Sequence, residues 1–277
     1  MNDLTFSVAM SVYKNDRPEP LRRALESIIT QQTVVPDEIL LVVDGPIPPE
    51  LDAVIDEFTD LCPALHPLRL AENGGLGNAL RLAVENASHP LIARMDSDDI
   101  AAPDRFRQQL DYFRQDPTVD IVGGDISEFV GDEDNVVAYR RVPLTDGEIK
   151  EYLKTRCPLN HVSVMYKKEA VQRAGGYLDL FWNEDYYLWI RMVEAGAVMA
   201  NTGTVLVNVR TGADMYSRRG GKPYFESELF LQRYMLERKI ISLPTFCMNV
   251  LKRWIVQRLL PNSLRGWVFR TLARKDS

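Results

Sequence analysis

Asp96-Ser97-Asp98-Asp99 places three carboxyl groups within four residues, directly after the apolar run Leu91-Ile92-Ala93-Arg94-Met95. Carboxylates this close repel one another unless a cation or strong donors compensate them. Alternating aspartates in a loop suit a hard divalent ion whose remaining ligands are phosphate oxygens and water. One of them could instead cap a helix beginning near Pro103, but capping uses a single Asp and leaves two unexplained. An EF-hand is excluded, because its sixth and twelfth positions, counted from Asp96, are Ala101 and Arg107 rather than Gly and Glu. A second acidic pair, Glu184-Asp185, stands at a helix start between Trp182 and the aromatics Tyr186, Tyr187 and Trp189. The helix dipole accounts for one acid there. An acid among so many aromatics also suits a general base in a semi-buried cleft.

Other residues carry weaker signals. Asn73-Gly74-Gly75-Leu76-Gly77 opens a helix and could turn backbone N–H groups toward phosphate, or simply start the helix. Leu80 stands where a dinucleotide fingerprint needs its third glycine, and Gly221-Lys222-Pro223 is not a P-loop. His161, just ahead of a strand, is either a structural hydrogen-bonding residue or a substrate contact. Arg210, with the loop Arg218-Arg219-Gly220-Gly221-Lys222, is either solvated or able to close over a pyrophosphate.

These groups need elements to hold them. Short apolar runs at 6–12, 38–43, 68–70 and 91–95 read as buried strands. Between them lie helical patterns after Pro18, over about 49–61 and over 75–85. This alternation predicts right-handed βαβ units and a mostly parallel sheet, whose ligands bind beyond the carboxyl ends of the strands. Those ends carry Ser11-Val12-Tyr13, Asp44-Gly45 and the aspartate cluster. The second half reads as a mixed sheet, with strands near 120–123, 136–142, 162–166 and 205–209 and helices near 146–154 and 185–194.

The 277 residues are 45% hydrophobic and 26% charged, which excludes collagen, long coiled coil and wholesale disorder. Three scattered cysteines argue against a disulfide framework or a thiolate zinc site and fit a reducing compartment. The start lacks the basic and apolar regions of a secretory signal, and no apolar stretch reaches the ~20 residues of a membrane span. The net charge of −6 conceals a division: nine basic residues and one acid from Arg238 onward give +8, leaving −14 for the rest. Apolar stripes accompany that basic tail, one through Met248, Leu251, Trp254, Ile255 and Leu259, another through Leu264, Trp267, Val268, Thr271 and Leu272. They suit an anionic membrane surface, or packing on the body or on a second subunit as a homodimer. Nucleic acid is the poorer partner, since an acidic body repels phosphate.

In chain order, Ser7–Tyr13, Val42-Val43-Asp44-Gly45, Asn73–Leu80, Ala93–Asp99, Gly175-Gly176-Tyr177 and Asn183–Arg191 together resemble the family 2 glycosyltransferases of GT-A fold. Within the family the chain is most similar to the bacterial enzymes of exopolysaccharide and O-antigen assembly. The resemblance implies an α/β GT-A domain over residues 1–221, with a Rossmann-like nucleotide-binding half and a mixed-sheet acceptor half. A basic amphipathic helical extension over 222–277 follows. It also implies an inverting transfer from a nucleotide-diphosphate sugar, usually a UDP-sugar, to a lipid-linked saccharide. By position, Ser11, Tyr13 and Asp44 would hold the base and ribose and Asp96 the ribose side. Asp98 would hold Mn²⁺ or Mg²⁺, with Asp99 supporting. Asp185 would be the general base and Glu184 its neighbour or an acceptor contact.

Inversion needs a base on one side of the sugar and positive charge on the other, so the two should come from distant loops, as Asp185 and Asp98 do. His161 and Trp182 are the acceptor-side candidates, and Arg210, Arg218 and Arg219 the donor-phosphate ones. The chain departs from the family at Val209-Arg210-Thr211-Gly212, where many relatives carry a histidine, and it lacks the Gln-x-x-Arg-Trp of processive polymerases. A single addition per acceptor is therefore expected, by a cytoplasmic enzyme peripheral to the inner membrane face. The rivals are a sugar-nucleotide pyrophosphorylase, which needs a Gly-rich, Arg-containing loop where Lys14–Pro18 stands, and a non-catalytic carbohydrate-binding relative.

Overall fold

The computed structural model describes residues 4–212 and 221–259. Its first half is β1 (Phe6–Val12), α1 (Pro18–Ile29), β2 (Glu38–Val43), α2 (Pro49–Leu61), β3 (Leu65–Arg69), α3 (Leu76–Asn86) and β4 (Leu91–Arg94). The four strands run parallel in the order β3-β2-β1-β4. Helices cover both faces, which is why β1, β2 and β4 are mostly apolar. Alternate residues serve opposite cores. Val8, Met10, Ile39 and Leu41 join one cluster with Leu21 and Leu25 of α1, while Ala9, Leu40 and Val42 join another with Leu80 and Ala83 of α3. β3 begins three residues earlier than the apolar pattern indicates and runs through Pro67. It lies at the sheet edge, where proline's missing N–H breaks no ladder.

The second half holds β5 (Ile100–Ala101), α4 (Arg105–Gln115), β6 (Ile121–Phe129), β7 (Val136–Arg140), α5 (Asp146–Leu153), a 3₁₀ turn at His161–Ser163, β8 (Met165–Lys167), α6 (Lys168–Arg173), α7 (Glu184–Glu194) and β9 (Met199–Arg210). The sheet continues β4-β8-β6-β9-β5, with β8 antiparallel to both neighbours and β9 parallel to β6, so it is mixed as expected. β6 is far longer than the predicted 120–123, because Gly123-Gly124 does not end it. A Cβ on Gly123 would meet Asn201 at 2.4 Å and one on Gly124 would meet Leu206 at 2.5 Å. The glycines let β9 approach closely, and the register shifts there.

Two helices close the described chain, α8 (Lys222–Glu237) and α9 (Leu243–Trp254), followed by a π-helical turn at Ile255–Leu259. Leu231 and Met235 of α8, with Ile241, are buried in the same cluster as Ile149, Leu188 and Trp189. Each such side chain contributes about 1.5–3 kcal/mol by leaving water, so α8 is fixed to the α/β body. No described helix is long and apolar enough to cross a membrane.

Candidate active site

β1, β2, β4 and β9 end on one side of the sheet, carrying Ser11, Asp44, Asp96–Asp99 and Arg210 there. One oxygen from each of Asp96, Asp98 and Asp99 lies within 4.8 Å of the others, close enough to share one cation. Helix capping does not account for them. α4 starts at Arg105 after Asp104, and the Asp99 carboxylate instead accepts the Arg210 backbone N–H at 2.7 Å. The Arg210 guanidinium donates to the Asp98 carbonyl at 3.2 Å and lies over the Phe129 ring, so the side chain flanks the cluster. Arg218 and Arg219 lie outside the described residues.

A fourth acid and a buried cation belong to this site, and the sequence motifs single out neither. Asp16 accepts from the Tyr13 N–H at 3.0 Å and the Ser97 hydroxyl at 2.9 Å, folding the loop after β1 against the aspartate loop. Nothing distinguishes it from an ordinary turn acid in sequence. Arg94, 2% exposed, forms an ion pair with Asp96 from beneath. Its Nε and Nη1 have no hydrogen-bond partner among the described residues. Burial opposes the Arg94 charge most strongly, but the charge and hydrogen bond of Asp96, with Tyr177 and Asp99, together hold the guanidinium above its ordinary range. A charged residue inside a fully buried strand was the available signal.

The electrostatics follow from crowding. Asp98 stays open to solvent at one edge, yet the protein crowded round its carboxyl, then the charges of Asp96 and Asp16, push it up to about 6. Burial, then Asp98 and Asp96, hold Asp99 well above the carboxylate range. These acids keep protons in the folded protein that the unfolded chain has lost. Their effect therefore lowers stability as pH rises from about 4 through about 6. A divalent cation relieves the repulsion and must displace those protons. Mn²⁺ is thus expected to raise the melting temperature near neutral pH, with an apparent affinity falling roughly ten-fold per pH unit below about 6 for each carboxyl that must ionise. Thermal melts with Mn²⁺ or chelator across pH check this, and a pH-independent shift contradicts it.

The second acidic pair opens α7, with Asn183 before it. Glu184 packs beside Gly77, where an added Cβ would lie 3.6 Å from the Glu184 Cβ. Burial, then Asp185, raise the Glu184 carboxyl to about 7, with Arg94 pulling it down and Asp96 pushing it up. The charges of Arg94 and Asp96 thus both reach the Glu184 carboxyl. The Asp185 carboxylate accepts the Tyr186 N–H at 2.6 Å, and the Cys157 thiol faces its second oxygen at 3.7 Å. Burial, then the Asp185 charge, keep that thiol protonated well above its ordinary range.

The remaining candidates separate. Asp44 is buried, and its carboxylate accepts from Gly74 N–H at 2.6 Å, Gly75 N–H at 3.0 Å and Asn73 Nδ2 at 2.9 Å. The glycine amides considered for phosphate are thus held by Asp44, and the turn takes the helix-starting form. Gly45, at φ +84°, makes this possible, since any Cβ there would strike the Asn73 backbone at 2.6 Å. Ser11 and Tyr13 are half-buried at the end of β1. His161 pairs through Nε2 with the Tyr177 hydroxyl at 2.9 Å, and burial, then Arg94, keep the ring neutral. Trp182 is exposed beside Phe181 with a left-handed φ of 57°, a strained backbone for an aromatic residue just ahead of Glu184.

The model of the family "Glycosyl transferase family 2" matches residues 7–177. The chain is 40% identical to the "Amylovoran biosynthesis glycosyltransferase AmsE" of Erwinia amylovora, over 84% of this chain and 86% of that one. It is 36% identical to the "UDP-Gal:alpha-D-GlcNAc-diphosphoundecaprenol beta-1,3-galactosyltransferase" of Escherichia coli, over 98% of this chain and 97% of that one. In structure it is similar to S. aureus TarS crystallised with UDP-GlcNAc, with a TM-score of 0.64 at 15% identity, covering 91% of this chain and 73% of that one.

Proposed function

The chain belongs to glycosyl transferase family 2 and has the GT-A fold, and from that premise we propose that it is an inverting, metal-dependent hexosyltransferase. Its donor is a nucleoside diphosphate sugar, a UDP-hexose, and its acceptor a lipid-linked saccharide in cell-surface polysaccharide synthesis. It works at the cytoplasmic face of the inner membrane as a peripheral protein. The observation carrying this reading is that three aspartates converge on one possible cation site, paired from Asp96 to the buried Arg94, whose charge also acts on Glu184 of the second acidic pair. The reaction needs those two kinds of group on opposite sides of the anomeric carbon. The names of the Erwinia and Escherichia relatives favour polysaccharide assembly and a diphosphoundecaprenol-borne acceptor.

Asp98 and Asp96, with Asp99 behind them, would hold Mn²⁺ or Mg²⁺, which supplies positive charge to the departing diphosphate. Arg210 flanks that loop and adds a fixed cation on the phosphate side. Ser11 and Tyr13 line the nucleoside side, and Asp44 fixes the glycine turn that walls it. Asp185 takes the proton of the acceptor hydroxyl as that oxygen attacks. Glu184, raised to about 7, adjusts the charge of the pair at neutral pH. Trp182 and Phe181 offer exposed aromatic faces to an acceptor sugar.

A screen of nucleotide sugars for binding and slow hydrolysis, with Mn²⁺, Mg²⁺ or chelator, tests the reading. A UDP-hexose should be turned over with metal, and chelator should remove several kcal/mol of transition-state stabilisation, about 10³-fold in rate. Absence of metal-dependent nucleotide binding would refute it.

A further inference from the structure

α9 turns most of its large apolar residues outward. Phe246 packs half-buried against the core, but the one fully buried residue of the helix is polar: Asn249 donates to the Lys154 carbonyl and to Gln232 Oε1, both at 2.9 Å. One turn on, Arg253 pairs with Glu228 of α8 and donates to the Thr155 carbonyl at 2.9 Å. Its outward side is apolar: Leu243, Met248, Leu251 and Trp254, with Ile255 beyond, are 40–61% exposed. At 100° per residue these five fall within an arc of roughly 140°. Exposed Lys252 stands at the edge of that arc, and exposed Lys239 lies in the turn before the helix. α9 contains no acid. A solvent-facing surface helix would have its polar and apolar sides exchanged.

We propose that this face of α9 docks on an anionic lipid surface. Charge selects the occupant. The chain from Arg238 onward carries nine basic residues and one acid. A second copy meeting the same face across a two-fold axis would bring like charges together. Residues 260–277 carry the same sign, four basic residues and one acid, and gain nothing electrostatically by lying there. Anionic headgroups complement both features, with the apolar arc entering the headgroup boundary and Trp254 at the level aromatic residues favour. The docking surface is also tied to the site. The same helix holds the carbonyls of Lys154 and Thr155, and two residues further Cys157 faces Asp185. Docking would set the base at a fixed height above the lipid, so the proposal deepens the lipid-linked acceptor reading and rests on it for its purpose.

The test is flotation of the full chain with phosphatidylcholine vesicles, with and without phosphatidylglycerol, at low and high salt. Wild type is expected to float with the anionic vesicles and to be released by salt. Met248→Glu/Leu251→Glu should lower partitioning by about ten-fold or more, with nucleotide-sugar hydrolysis and circular dichroism unchanged. Equal flotation of variant and wild type overturns the proposal. So does a wild-type chain that ignores anionic vesicles, or a sedimentation-velocity dimer that the double variant dissolves. Flotation without metal-dependent nucleotide binding would sink the enzymatic reading and leave the docking face standing; the reverse result would do the opposite.

Discussion

Asp185→Asn is expected to slow sugar transfer by about 10²- to 10⁴-fold while nucleotide and metal binding persist, the range typical for loss of a positioned general base. Asparagine has the same shape, its carbonyl can still accept the Tyr186 N–H, and Asp185 lies outside the aspartate cluster. The fold and donor site should therefore be intact. The substitution also has a signed effect on Glu184. The Asp185 charge is, after burial, the main reason that the Glu184 carboxyl sits at about 7. Removing the charge lowers Glu184, so the acid limb of any residual activity should move to lower pH. If Glu184 were the proton acceptor, Glu184→Gln would give the larger loss and Asp185→Asn mainly the displaced limb. The pH profiles of kcat and kcat/KM for both variants separate these cases, and unchanged transfer in both would remove the pair from the chemistry.

How much of this could be read before the structure depends on what each residue answers to. Strands buried on both faces announce themselves as short, mostly apolar runs, and β1, β2 and β4 fall where the pattern indicated. α2 does too, with Pro49 at its start and an apolar stripe behind it. Gly123-Gly124 misled because a glycine pair has the same appearance in a turn and in a strand that another strand approaches closely. Only the position of Asn201 and Leu206 distinguishes the two. The two-residue β5 and the short α6 lacked enough period to register at all.

The site divided along similar lines. Three acids in four residues were conspicuous because their repulsion demands a partner wherever they fold. Their counter-ion was less so. Arg94 is adjacent in sequence, yet pattern reading treats a strand residue as core, and its role depends on Asp96 turning back beneath the loop. Asp16 and Cys157 enter only through contacts 81 and 28 residues distant, with Ser97 and Asp185. α9 was legible as amphipathic, while the second stripe, over 264–272, lies outside the described residues. The direction in which α9 faces was not, because periodicity fixes which residues share a side and not which side is covered.

The largest stability effect is expected at Arg105, which holds the aspartate loop from behind. Its guanidinium, wholly buried, donates to the Arg94 carbonyl at 2.5 Å, to Met95 Sδ at 3.1 Å and to Gln109 Oε1 at 3.3 Å. Gln109 in turn donates to the Val122 and Ser163 carbonyls, joining β4, β6 and the 3₁₀ turn. Arg105→Ala empties the volume of one of the largest fully buried side chains and strands those acceptors. The cavity and the lost hydrogen bonds together should cost about 3–5 kcal/mol, a fall of roughly 10 °C in melting temperature for a chain of this size. The charge itself is not the stabilising element. Burial, then Arg94, depress the Arg105 guanidinium to about 9, so the fold tolerates the cation at a cost. Arg105→Met, which keeps much of the volume and discards the charge, should therefore lose less, about 1–3 kcal/mol. Lysine keeps the charge but cannot reproduce the fork to three partners, and should resemble methionine in stability. Urea and thermal melts of the three variants give the order. If Arg105→Ala melted within about 1 kcal/mol of wild type, the aspartate loop would be held by its own backbone bonds. In that case the Mn²⁺-induced shift would survive the substitution; if Arg105 is the brace, the shift should shrink with the stability.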